Sequence, residues 1–471
     1  MTCFNMRPNT HPLINRINHF LALPHYIVAV MFLTGAANLF HLELPVYALF
    51  AATAIFICCF GNDLLPLMPL FIGGYLAPSG ANNPGRNEAS VFSGSSGLFL
   101  LFLACAIALA LILRLWSVRK GFWKTKPRLL SGMLLLCAGY LLSGIGSPAY
   151  PEVLGQNLLF ALLQCAALLV PYLIFCYGVD WLNVRRDYFA WVGFCTGCLL
   201  VAEVLGIYIQ LPVIVNGIIQ RRQIFTGWGM YNNIGVLLAM TIPFAFCLAT
   251  KYRKGWIGTV AGSAFLICLL LTCSRNSIFI GLAVYGICVL LMLYYARNRK
   301  HNTIALITVS IILLLSILLF RNQLLRLFSD LLSLGLDPSH RDEIFMEGLA
   351  LFRKQPLFGN SFFSPGYEPW DWSTSDTFTA FFPPRWHNTF VQLLACCGLA
   401  GFAAYILHRI QTVRLLLTHK TKENTFIPCS LLALVICSLF DCHFFNLGPT
   451  LIYSMALAFM ENRPDGQPDN L

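Results

Sequence analysis

Three residues at the edges of apolar runs have chemistry suited to a water-soluble group: Arg275, Arg341 and His387. His387 stands between Trp386 and Asn388 at the mouth of an apolar segment, with ten residues separating it from Gly398. Imidazole titrates closest to neutral pH, so His387 suits taking a proton from a hydroxyl. Guanidinium groups keep their charge and grip phosphate oxygens through two N–H groups at once, which suits holding an anionic group. Arg275 sits in Ser274-Arg275-Asn276, wedged between two apolar runs. There it either snorkels to the interface or faces a wet cavity, because an unpaired Arg at membrane depth is costly. Arg341 falls in the first turn of an expected helix, where the dipole disfavours a cation by about a few tenths of a kcal/mol. That placement points to a second role, beside pairing with Glu343 or facing water. Arg221 and Arg222 precede Gly227-Trp228-Gly229 and Asn232-Asn233 and are candidate substrate contacts, as are Asn388 and Trp386.

The polar block from Arg321 to Arg385 must place these groups. Asp337-Pro338-Ser339 reads as a turn with Ser339 as N-cap and Asp342 three residues on, followed by Phe345, Leu349 and Phe352 at helical spacing. Pro356 ends this helix and leads into Leu357-Phe358-Gly359-Asn360. Tyr367, Trp370, Trp372, Phe381, Phe382 and Trp386 then form either a stacking surface for sugar rings or an interfacial belt.

Everything around the block is apolar. Of the residues, 58% are hydrophobic and only 11% charged, and the mean hydropathy is +0.70, which excludes an ordinary soluble domain. Apolar runs near 22–41, 44–60, 97–116, 129–146, 157–178, 189–210, 232–250, 256–273, 277–296, 303–320, 387–408, 426–441 and 446–460 each suit a helical span. A shorter run, 64–77, contains Pro66 and Pro69 and either spans or dips. The expected fold is all-α, a polytopic bundle of about 12 to 14 transmembrane helices with one large extracytoplasmic loop. With the amino terminus inside, 21 of the 31 Lys and Arg fall in cytoplasmic segments, so both termini are expected in the cytoplasm and the long loop outside. This topology accounts for the net charge of +11 without a nucleic-acid partner. The first twenty residues lack the pattern of a cleavable signal, so the first span is expected to act as an uncleaved anchor.

Other motifs carry structural readings. Cys195-Thr-Gly-Cys198 has redox spacing but lies mid-span, and the 18 cysteines form no extracellular framework. Asp441-Cys442-His443 has metal-ligand types, yet three consecutive residues rarely share one ion. No tight acidic pair marks a metal site, and no cofactor is expected. Glu203, an acid well inside a span, either snorkels or lines a lipid cavity. No internal repeat is evident, and the polar material gathers on one face, which weighs against a transporter or flippase of lipid-linked sugars.

The Ser274-Arg275 turn, the loop with Arg341 and Pro356-Leu357-Phe358-Gly359, and the His387-to-Gly398 spacing with Asn388 occur in an order that resembles the O-antigen ligase and polymerase superfamily of bacterial membrane glycosyltransferases. The resemblance covers 221–471, including the extracytoplasmic loop 321–386, as a catalytic region, with 1–220 as amino-terminal transmembrane helices. It departs from the family at Asn276, where Gly is usual, and around Asn232-Asn233. It implies transfer of a glycan from a polyprenyl-diphosphate carrier to a lipid, glycan or protein hydroxyl at the outer face of the plasma (inner) membrane. It further implies a fold like that of C-type membrane glycosyltransferases, no metal, His387 as base, Arg275 and Arg341 on the diphosphate, and Arg221 or Arg222 in support. A repeat-unit polymerase of the same superfamily is the alternative.

Overall fold

The computed structural model describes residues 11–78, 94–117, 127–148, 150–181, 184–215, 218–220, 223–319, 321, 341–362, 386–418 and 425–462. Arg221, Arg222, Ser339 and the aromatic run from Tyr367 to Phe382 lie outside the described residues. The helices are α1 (Pro12–Leu21), α2 (Pro24–Phe40), α3 (Glu43–Phe60), α4 (Leu67–Leu76), α5 (Gly94–Ser117), α6 (Leu130–Leu141), α7 (Tyr150–Gly178) and α8 (Tyr188–Gln210). They continue as α9 (Tyr231–Lys251), α10 (Trp256–Leu271), α11 (Arg275–Tyr295), α12 (Arg299–Leu319), α13 (Arg341–Lys354), α14 (Thr389–Thr418), α15 (Phe426–Cys437) and α16 (Leu447–Glu461). Between α8 and α9 lie two small antiparallel hairpins, β1 (Ile214–Val215) with β2 (Ile218–Ile219) and β3 (Phe225–Thr226) with β4 (Gly229–Met230).

The protein is therefore an all-α, multi-pass membrane protein, and each apolar run of the sequence lies at a helix. Among the described residues, seven helices are long and apolar enough to cross a membrane alone, or eight spans result if the bent pair α1 and α2 forms one. Among the others, α4, α6, α10 and α15 are apolar but shorter, so these criteria do not reproduce a count of 12 to 14.

The bundle is organised around α9. Every residue from Ile234 to Thr250 is buried, as fits a helix apolar on all sides, and α8, α10, α11 and α15 pack around it. This fixes the first turns of α9 and α11, and the end of α15, at one end of the bundle. At the opposite end, Thr250 accepts a hydrogen bond from the backbone N–H of Arg297. Not every basic residue is at an exposed helix end: the Arg409 guanidinium is buried inside the bundle over the rings of Tyr405, Phe444 and Tyr453, at 4.7, 4.3 and 4.8 Å. Cys195 and Cys198 are free thiols.

Candidate active site

Helix α14 is not a straight span. Gly398 has φ 61° and ψ −162°, and Phe390 meets both Phe402 and Tyr405, with ring centroids 5.9 and 6.0 Å apart. In a straight helix these residues would lie about 18 and 22 Å away along the axis, so the helix bends sharply at Gly398. The break frees backbone groups, and the loop after α13 takes them up. Leu399 and Ala400 donate to the carbonyls of Pro356 and Leu357 at 2.8 and 3.1 Å, and Asn360 N–H donates to Ala395 at 2.9 Å. Both crossing chains need glycine. A Cβ on Gly359 (φ 68°) would fall 2.3 Å from the Cys396 carbonyl carbon, and one on Gly398 would fall 2.5 Å from that of Leu357. Two motifs far apart in sequence thus form one joint, and the short arm from Thr389 to Cys397 is what separates His387 from Gly398.

Helix α13 lies on this arm, with Gly348 against Trp386 and Val391. Trp386 is 1% exposed, so the stacking role expected for it has no open ring face in this conformation. Asn388 caps the arm. Its Oδ1 accepts from the N–H of Phe390 and Val391 at 2.8 and 3.1 Å, and its Nδ2 donates to the Leu439 carbonyl at 2.8 Å. The amide is thereby engaged at both ends within the protein.

His387 has φ 48°, a left-handed backbone that costs a non-glycine residue on the order of 1–3 kcal/mol and persists where neighbours enforce it. Its Nδ1 lies 3.3 Å from Asp441 Oδ1. Asp441 follows the end of α15, and the same oxygen accepts the Cys442 N–H at 2.7 Å. Its Oδ2 accepts from Asn232 Nδ2 at 3.2 Å, and Asn232 Oδ1 in turn accepts from Ser274 Oγ at 2.9 Å. Ser277 Oγ lies 3.0 Å from Ser274 Oγ. His443 Nε2 approaches Asp441 Oδ2 to 3.9 Å, and Asn446, next to His443 Nδ1 at 3.4 Å, donates to Asn233 Oδ1 at 2.6 Å. One polar chain therefore runs from His387 through Asp441 and Asn232 to Ser274, joining α14, the α15–α16 connection, α9 and α11.

Arg275 is the first residue of α11, directly after Ser274, and Cys273 before it also has a positive φ of 53°. The first-turn N–H groups of the helix add to the charge of Arg275 and favour an anion there. Arg341 opens α13, and its side chain lies outside the described residues. An ionised Asp441 accepts from Nδ1–H and leaves the Nε2 lone pair of His387 as the basic position. The arrangement can take a proton at one end and hold negative charge at the other. Among the described residues no group of three or more His, Cys, Asp and Glu is placed to hold a metal ion.

Asp441, Asn232 and His443 were not singled out by sequence as partners of His387. The signal available was a polar tripeptide between two apolar segments. No curated protein matches the chain. Residues 235–406 match the O-antigen ligase family. The matched stretch takes in Arg275, His387 and the Gly398 joint and stops short of Asp441. With that match enclosing both ends of the polar chain, the chain carries an O-antigen ligase domain over residues 235–406.

Proposed function

We propose that the chain transfers a glycan from a polyprenyl-diphosphate carrier to an acceptor hydroxyl at the extracytoplasmic face of the plasma membrane, with both termini in the cytoplasm and 221–471 as the catalytic region. The O-antigen ligase domain gives the coarser statement, a ligase- or polymerase-type enzyme of surface polysaccharide assembly working on lipid-linked glycans. The observation that carries the finer one is the His387–Asp441 pair, on the same polar chain as the residue that starts α11 with Arg275.

In this reading, Nε2 of His387 takes the proton of the acceptor hydroxyl as its oxygen bonds to the anomeric carbon. The bond from that carbon to the diphosphate breaks in line, and the sugar inverts. Charge on the departing diphosphate is met by Arg275, by the N–H groups at the start of α11 and by Arg341, with Arg221 or Arg222 in support. These groups supply the charge a metal would otherwise provide.

The test is transfer by purified protein in proteoliposomes, given a polyprenyl-diphosphate oligosaccharide and a panel of lipid, glycan and protein acceptors, with chelator present. Transfer by wild type and its loss in folded His387→Ala supports the reading. A product on a second lipid-linked repeat unit makes the enzyme a polymerase, and one on another envelope molecule makes it a ligase. Undiminished transfer by His387→Ala overturns the site.

A further inference from the structure

Between α2 and α8 runs an apolar trough of about 520 Å³, walled by small residues that include Gly35, Ala36, Cys198, Ala202 and Gly206. The exposed side chains of Phe32, Leu39 and Phe40 form its rim, so in a membrane it opens to the hydrocarbon. Glu203 is the one acidic or basic residue among the described residues that line it. Its carboxylate is tied into the wall, accepting from Asn38 Nδ2 at one oxygen and from Trp228 Nε1 at the other, 3.2 Å away. Trp228 belongs to the β3–β4 hairpin, and Thr226 of the same hairpin lines the trough. The hairpin leads straight into Asn232, which holds Asp441.

We infer that this trough holds the polyisoprenoid tail of the lipid-linked donor, an inference that rests on the function proposed above. Three observations select this occupant. The described lining holds no Lys, Arg or His to grip an anionic headgroup, so a lipid lodged here has its phosphates elsewhere, and the Arg275 end of the polar chain has the cation that the trough lacks. Along α8 the lining runs from Phe194 to Gln210, about 24 Å. One leaflet of hydrocarbon is only about 15 Å deep, so a chain lying along the trough outreaches an ordinary acyl tail. The hairpin that closes the polar side of the trough also leads into Asn232 of the catalytic chain, so tail and head belong to one molecule.

Gly206 supplies the test, because a Cβ built on it meets nothing within 4 Å, so a ring placed there fills the trough without displacing backbone. Gly286, on α11 and equally open, is the control. Donors with a long and a two-isoprene tail are compared in proteoliposomes containing Gly206→Phe or Gly286→Phe. In parallel, a long-tailed diphosphate carrying a diazirine in the tail is photo-crosslinked to wild type and the adducts mapped. The tail assignment requires adducts on α2 and α8, and a KM for the long-tailed donor roughly ten-fold higher in Gly206→Phe alone, with kcat and the short-tailed KM unchanged. Dispersion contacts with the wall are the attraction a tail gains over bulk lipid, and the ring displaces them. Equal effects on both tails, no effect on either, or displacement of the probe by diacyl phospholipid overturns the inference. Absence of transfer by wild type would instead count against the glycosyl transfer itself, while the crosslinks still report on the trough.

Discussion

Asp441→Asn isolates the least obvious member of the site. The replacement has the same shape, so packing around the half-buried His387 is unchanged and Asn232 keeps an oxygen to donate to, while the Cys442 N–H, which shares its oxygen with His387, loses its acceptor when the NH2 faces His387. The hydrogen bond to His387 is altered. A carboxylate only accepts and so holds the proton on Nδ1, whereas a carboxamide can turn its NH2 toward Nδ1 and drive the proton to Nε2, the position that must be basic. A general base is worth about 10²- to 10⁴-fold in rate. The His387–Asp441 contact is long, at 3.3 Å, and His387 is 39% exposed, so water competes for Nδ1 and part of the productive tautomer survives. The lower end follows, a fall of about 10²-fold in kcat, or ~2.7 kcal/mol, with KM for the donor nearly unchanged. Asn232→Ala removes one hydrogen bond to the carboxylate and should cost about 3- to 10-fold. Because Asp441 acts through His387, the double variant Asp441→Asn/His387→Ala should be no slower than His387→Ala alone. Steady-state transfer by reconstituted protein measures all four. Wild-type kcat in Asp441→Asn, or full additivity in the double variant, refutes the pairing as a catalytic unit.

Arg275→Lys keeps the charge but loses the planar fork, so kcat should fall by about ten-fold, against 10²-fold or more for Arg275→Ala; equal rates for Lys and Arg would show that only the charge counts. Gly359→Ala and Gly398→Ala each force a methyl into backbone at a positive φ, costing about 1–2 kcal/mol from conformation alone and more from the clash. Both should lose monodisperse protein on size exclusion, while Gly206→Ala, with open space and a better helix former, should not. Burial pushes the Asp63 carboxyl, in the loop between α3 and α4, up to about 6, despite the N–H it accepts from Leu65 and with the charge of Asp180 adding to the rise. A folded value above the unfolded one means that its contribution is whole below about pH 4 and is lost as pH rises through about 6. Asp63→Asn keeps the acceptor and removes the charge, so it should melt higher than wild type at pH 7.5, by up to about 3 kcal/mol of stability. The two should converge only below about pH 4, and a gap that persists there would mean that packing, not ionisation, separates them.

The sequence made the membrane helices legible because each buries its own backbone, and a run of apolar residues is sufficient to announce it. The amphipathic helix ending at Pro356 was legible for the same local reason, and α13 ends at Lys354. The pairing of His387 with Asp441 was not legible, since they lie 54 positions apart and neither hydropathy nor periodicity encodes a partner at that distance. The Gly398 joint was half legible. The histidine-to-glycine interval stood out, but its cause is the Pro356–Gly359 loop crossing behind it. Trp386 misled because an aromatic residue at an interface and one sealed under a helix look alike in sequence.

The lengths of the last two apolar segments held more than hydropathy extracted from them. Helix α15 has 12 residues and α16 has 15, about 18 and 22 Å, and neither reaches across ~30 Å of hydrocarbon. A chain that stops short must leave the helix while still within the bundle, and the backbone it frees there needs polar partners or a wet cavity. Asp441, Cys442 and His443 occupy that exit. Asn232 and Asn233 face them from the start of α9, and Asn446 reaches back to Asn233. Two consecutive apolar segments, each too short to span and joined through a carboxylate and an imidazole, therefore mark a polar pocket inside the bundle. That reading would have paired the pocket with the one histidine at the mouth of a neighbouring span.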